Sequence, residues 1–94
     1  MTPQQLYKDI EPVLMAFRLS GMKIMCDRIG DSSVGKNVII FSIRFDQFEP
    51  IFCYLTISAR DVIVCMDKRF RCSFSDVPRF VAEELMAFNG LKTA

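Results

Sequence analysis

The hydrophobic positions along this chain follow two different periods. An apolar stripe with helical spacing comes first, formed by Leu6, Ile10, Val13 or Leu14, and Phe17. From residue 22 to residue 74, apolar and polar residues alternate with the period of two that is typical of strands. The helical spacing then returns in a second stripe, formed by Val77, Val81, Leu85 and Phe88 beside Phe80. The pattern predicts a helix, a sheet and a second helix.

The ends of the first helix have residues suited to them. Thr2 can cap the free backbone N–H groups, Pro3 suits the first helical position, and Gln5 completes a capping box. Gly21 predicts the end of the helix, since glycine readily takes a left-handed conformation. Pro12 lies between these ends, where it removes one hydrogen bond, so we expect a kink or two short helices.

Five strands are predicted between the helices, over residues 22–29, 38–46, 51–58, 62–67 and 70–74. Their short connections favour an antiparallel meander. The second helix is predicted to begin at Ser75 or Asp76 and to stop at Asn89-Gly90. Helices at both ends of the chain favour packing on one face of the sheet. The predicted fold is a two-layer α+β sandwich that forms a single domain over residues 1–94.

A two-residue turn at Ala59-Arg60 would fix the register of the third and fourth strands. It places Ile57 opposite Val62 on one face, which we expect to be the core, and Tyr54 opposite Cys65 on the other face. This second face should be polar if it meets only water. It is largely apolar instead, with Val38, Ile40, Phe52, Tyr54, Ile63 and Cys65 interspersed with Ser42, Thr56 and Arg44. Such a patch covers roughly several hundred Å², which is large for the surface of a monomer.

The apolar second face predicts a non-enzymatic protein-binding module, chaperone-like or inhibitor-like, that acts as a homodimer or binds another protein. Aromatic residues and arginine around an apolar centre are typical of interfaces. The predicted partner-binding residues are Ile40, Arg44, Phe52, Tyr54 and Ile63. In one alternative, a helix of the chain itself covers this face.

In another alternative, the face binds single-stranded nucleic acid. Phe52 and Tyr54 would stack on bases, and the basic residues Arg44, Lys68, Arg69 and Arg71 would contact phosphates.

Composition and charge limit the classes of partner and the compartment that we expect for this protein. The chain has 94 residues, of which 51% are hydrophobic, and a net charge of +1, which gives no bulk attraction to nucleic acid or to an anionic membrane. No segment has the pattern of a signal peptide or of a membrane span, so we expect a cytoplasmic protein. In that compartment the four cysteines, Cys26, Cys53, Cys65 and Cys72, should be buried reduced thiols.

The segment GDSSVGKN, at residues 30–37, resembles the phosphate-binding loop of small GTPases. That loop requires a helix after it and a hydroxyl at its last position, whereas here a β-branched run follows and Asn37 stands last. We therefore predict a hairpin loop and no bound nucleotide. The chain contains no histidine, and its cysteines show no paired spacing, so no catalytic residue, metal site or cofactor is predicted.

Overall fold

The computed structural model of the chain describes residues 1–32, 35–66 and 68–92. Helix α1 (Pro3–Leu19) precedes the strands β1 (Lys23–Ser32), β2 (Gly35–Arg44), β3 (Ile51–Ile57), β4 (Val62–Cys65) and β5 (Arg69–Cys72). A 3-10 turn (Phe74–Asp76) then leads into helix α2 (Val77–Lys92). The five strands form one antiparallel sheet in the order β1-β2-β3-β4-β5. The predicted helix–sheet–helix arrangement is confirmed.

Helix α1 begins at the predicted capping box. The Thr2 hydroxyl accepts the N–H of Gln5 at 3.1 Å, and the Gln5 side chain accepts the N–H of Thr2 at 2.9 Å. Gly21, with φ of 105°, follows the last turn in the left-handed region, as predicted. The expected division into two short helices at Pro12 is wrong, because α1 runs as one helix through it, while the alternative of a kink there stays a prediction. Pro12 is on the exposed side of the helix, where water can bond the carbonyl left without a partner.

Both helices pack against the same face of the sheet. The core joins Leu6, Ile10 and Leu14 of α1 with Val77, Val81, Leu85 and Phe88 of α2 and with alternate strand residues such as Phe41 and Leu55. Val13 and Phe17 are half-buried at the margin of this core. The two stripes read from the sequence are therefore the faces that the helices bury, and the two-layer packing follows from them.

The predicted register of β3 and β4 is confirmed. Ile57 lies opposite Val62 and Leu55 opposite Val64 on the core face, while Tyr54 lies opposite Cys65 on the other. The two-residue turn is closed by the N–H of Ser58, which donates to the carbonyl of Asp61 at 2.9 Å. The Ser58 hydroxyl also donates to the Asp61 carboxylate at 2.6 Å. The predicted pairing of Phe52 with Asp67 lies outside the described residues.

The predicted start of α2 is confirmed and its predicted end is wrong. α2 begins at Val77, directly after Asp76, and the 3-10 turn that contains Ser75 and Asp76 precedes it. At the other end, α2 continues through Asn89-Gly90 to Lys92. A glycine inside a helix costs only about 1 kcal/mol, and no proline follows to stop the chain.

Candidate functional site: the open face of the sheet

The face of the sheet opposite the helices, here called the open face, is defined by the strand register. Residues paired across neighbouring strands share a face. The open face therefore consists of Lys23, Met25, Arg28, Val38, Ile40, Ser42, Arg44, Phe52, Tyr54, Thr56, Ile63, Cys65, Arg69 and Arg71. Neither α1 nor α2 packs on it, since their apolar stripes are used in the core. The alternative in which one helix covers this face is wrong.

A single copy of the chain leaves large apolar side chains of the open face in water. Phe52 is 47% exposed and Met25 is 50% exposed. Ile40, Tyr54 and Ile63 are half-buried, because their neighbours on adjoining strands shield their flanks. This apolar area is contiguous across β1 to β4.

The middle of the open face is buried even without a covering layer. Val38 is 1% exposed and lies outside the core cluster, and Ser42 is fully buried. Ser42 lies between Met25 on β1 and Phe52 on β3, and we attribute its burial to the larger side chains of these two neighbours. The Ser42 hydroxyl has no hydrogen-bond partner.

The structure places all five predicted partner-binding residues on the open face. Ile40 lies directly opposite Tyr54, and Phe52 is two residues from Tyr54 on the same strand. Ile63 lies opposite Thr56, next to Tyr54. Arg44 is at the end of β2 opposite Lys23, so it borders the apolar area.

The residues that β1 contributes to the open face, Lys23, Met25 and Arg28, were missed in the sequence. Strict alternation from Ile24 would put Arg28 on the core face and Ile29 on the open face. A bulge at Asp27 inserts one residue and reverses this, so Arg28 pairs with Ile40 on the open face and Ile29 packs toward the core. Met25 was missed because β1 was not aligned with β2. The spacing of Ile24, Cys26 and Ile29, two residues and then three, was the signal of the bulge.

Of the basic residues predicted to contact nucleic acid, Arg44, Arg69 and Arg71 lie on the open face and Lys68 lies outside the strands. Arg69 and Arg71 lie on the open face, opposite Cys65 and Ile63. Lys68 precedes β5 and is exposed. Arg71 donates to the Asp61 carboxylate at 3.2 Å. Hydrogen bonding from Ser58, together with the Arg71 guanidinium, holds the pKa of Asp61 below its usual value.

The four cysteines, all in the described part of the chain, are free thiols. Cys53 and Cys72 are buried as predicted, but Cys26 and Cys65 are only half-buried. Burial raises the pKa of the Cys53 thiol to about 12. Burial also raises the pKa of Cys26, although its hydrogen bond with Tyr7 acts in the other direction. Thiols with raised pKa values are poor nucleophiles at neutral pH.

The segment GDSSVGKN joins two strands. β1 extends to Ser32 and β2 begins at Gly35, so the predicted loop is shorter than residues 30–37, and residues 33 and 34 lie outside the described part. Gly30 has φ of 109° at an irregularity in the β1–β2 pairing, and Asn37 has φ of 53°. No helix N-terminus follows, so the geometry that holds phosphates in GTPases does not form here.

Three other kinds of site were considered in the described part of the chain: a cavity, a metal site and a membrane-spanning helix. A shallow cavity of about 610 Å³ lies beside the bulged part of β1, where Pro3 and Gln4 of α1 meet Asp27 and Asp31. Across the described ranges, no group of three or more His, Cys, Asp or Glu side chains is placed to hold a metal ion. No helix within those ranges is long and apolar enough to cross a membrane.

Comparison of the chain with models of protein families, with curated proteins and with solved structures finds no significant match.

Proposed function

We propose that this chain is a small, non-enzymatic protein-binding module that docks through its open face on another protein surface, provided by a foreign protein or by a second copy of the chain. It would act in a chaperone-like or inhibitor-like way, by covering part of its partner. Four free thiols support action in a reducing compartment such as the cytoplasm. The observation that carries the proposal is Phe52, which is 47% exposed within a contiguous apolar area.

The size of the apolar area supports binding energetically. Burial of apolar surface contributes about 25 cal/mol per Å². Covering a few hundred Å² would therefore contribute several kcal/mol (an order-of-magnitude figure) before the costs of association.

The rigidity of the open face supports binding as well. Ile40 is on β2, and Phe52 and Tyr54 are on β3; both are interior strands, each hydrogen-bonded to a neighbouring strand on both sides. Side chains held on paired strands lose less conformational entropy on binding than side chains on loops.

The test is the double substitution of Phe52→Ser with Tyr54→Thr. We expect the fold to survive while association with a partner or with a second copy is lost. Light scattering over a range of concentrations and thermal melting are the two measurements. Phe48→Ser is the matched control, since Phe48 is 59% exposed but lies on the β2–β3 connection. If the double variant unfolds, with a loss of about 3 to 5 kcal/mol per truncated ring, the face is part of the monomer core and the proposal is wrong.

Single-stranded nucleic acid is the second candidate partner. The observation in its favour is that Arg44 and Arg69 flank Phe52 and Tyr54 on the same face. Titration with single-stranded oligonucleotides at low and high salt tests it, because phosphate contacts weaken as salt increases. Absence of binding at low salt would contradict this candidate.

A further inference from the structure

One row of paired residues crosses the open face from edge to edge. Arg28 pairs with Ile40, Ile40 with Tyr54, Tyr54 with Cys65, and Cys65 with Arg69. The row therefore has an arginine at each edge strand and three uncharged residues between. Four strand spacings of about 4.8 Å separate the two arginines, which is about 19 Å.

The charges elsewhere on the open face have the same sign. Within the described ranges, the strand register places no Asp or Glu there, and the residues charged at neutral pH are all basic: Lys23, Arg28, Arg44, Arg69 and Arg71. The apolar area is thus bordered by cationic groups on both edge strands and at the end of β2.

Few of these cations are neutralised within the chain. Lys23 pairs with Asp46 at 3.0 Å, but both side chains are largely exposed to water, so this pair is weak. Arg71 pairs with Asp61 at 3.2 Å, where the Asp61 side chain is 28% exposed. The Arg28 Nε donates to the backbone carbonyl of Asp31 at 2.6 Å, which leaves its positive charge without an ion pair among the described residues. Arg44 and Arg69 form no ion pair with any residue that the structure describes. The border of the open face is therefore able to accept carboxylates.

Resting on the proposed function, we infer that the partner of the open face is an amphipathic helix whose apolar stripe has Asp or Glu residues along both sides. An α-helix with its side chains is about 10 to 12 Å wide. It fits between edge arginines about 19 Å apart, and its acidic side chains reach outward to meet them. Apolar burial along β2 to β4 would supply affinity, and the arginines would set orientation and specificity.

A second copy of the chain fits less well than an acidic helix. Two open faces packed together would bring cationic borders against each other, and like charges at an interface oppose association. Nucleic acid would match the charge but not the apolar area, since Ile40 and Ile63 cannot stack on bases as aromatic rings do.

The test uses two labelled helical peptides of about 18 residues, roughly 27 Å long. They share one Leu-rich stripe and differ only in flanking residues, Glu in one and Lys in the other. By fluorescence anisotropy, we expect the Glu peptide to bind at least about tenfold more tightly at low salt, with the difference shrinking at high salt.

Two double variants of the protein test the arginines at the edge strands. Arg28→Glu with Arg69→Glu should reverse the preference for the Glu peptide, and Arg28→Gln with Arg69→Gln should abolish it. Lys8→Glu with Arg79→Glu, which changes exposed cations of the helix layer by the same charge, should leave it unchanged.

Each other result overturns the inference in a recognisable way. Equal or tighter binding of the Lys peptide, lost in the Phe52→Ser variant, would refute the acidic partner while supporting protein binding by the open face. Binding of neither peptide, with self-association in light scattering, would identify a second copy as the occupant. Binding of a single-stranded oligonucleotide alone would refute both the helix and the proposed function.

Discussion

Ser42 lies directly opposite Phe52 on the neighbouring strand, and its hydroxyl is buried without a hydrogen bond on the face that neither helix covers. A buried hydroxyl without a partner costs about 1 to 3 kcal/mol. We therefore expect Ser42→Ala to raise the free energy of unfolding by about 1 kcal/mol, measured by denaturant titration.

The same substitution at a bonded hydroxyl supplies the control. The Ser58 hydroxyl donates to the Asp61 carboxylate at 2.6 Å, so Ser58→Ala should lower stability by about 0.5 to 1.5 kcal/mol. Destabilisation by Ser42→Ala of similar size would show that the Ser42 hydroxyl has a stabilising partner.

Ile39 and Ile40 are consecutive residues on opposite faces of β2, and they form a matched pair. Ile39 is fully buried in the core, so Ile39→Ala should cost about 2 to 5 kcal/mol. Ile40 is half-buried on the open face, and Ile40→Ala should cost about 1 kcal/mol because less surface returns to water. The measurement is denaturant unfolding of both variants. Equal costs would mean that both faces of the sheet are covered in the folded protein.

The raised pKa of Cys53 predicts a loss of stability in alkali. The buried thiol stays protonated in the folded protein up to about pH 12, whereas in the unfolded chain it ionises near pH 9. Above pH 9 the unfolded state therefore binds fewer protons, and stability falls as the pH rises, by up to about 1.4 kcal/mol per pH unit.

The Cys53→Ala variant isolates this effect. The difference in unfolding free energy between the wild type and Cys53→Ala should change by up to about 2 kcal/mol between about pH 9 and about pH 10.5. Taking this difference removes contributions that are the same in both proteins. A difference that stays constant over this range would mean that Cys53 ionises as readily in the folded state as in the unfolded chain.

Gly30 is predicted to be required for its backbone conformation and not for binding a phosphate. Its φ of 109° is a conformation that residues with a side chain rarely adopt, although a Cβ there would meet only Gln4, at 3.9 Å. We expect Gly30→Ala to cost about 1 to 3 kcal/mol through backbone strain alone, as measured by thermal melting.

The hairpin interpretation of residues 30–37 also predicts that no nucleotide binds. ATP or GTP with Mg²⁺ should leave the melting temperature of the wild type and of Gly30→Ala unchanged. A nucleotide-dependent increase in the wild type would contradict the hairpin interpretation.

Most of the fold was predictable because local signals agreed with one another. The period of two in β2 assigned Ile39 and Ile40 to opposite faces, and the turn after Ser58 fixed the pairing of Leu55 with Val64. The predicted partner-binding residues are on one face for the same reason.

The features of the fold and of the open face that were not predicted have only weak signals in the local sequence. The bulge at Asp27 moves Arg28 to the open face, and only the broken spacing of apolar residues in β1 indicated it. We attribute the burial of Ser42 to the sizes of Met25 and Phe52, which belong to other strands. The end of α2 was misjudged because glycine permits the end of a helix without imposing it.

The placement of both helices in one layer has a practical consequence for handling the protein. Helix α1 (Pro3–Leu19) and helix α2 (Val77–Lys92) both lie on the side of the sheet opposite Phe52. A surface linkage made through an exposed residue of this helix layer would hold the molecule with its open face directed toward the solution, where an analyte could reach it.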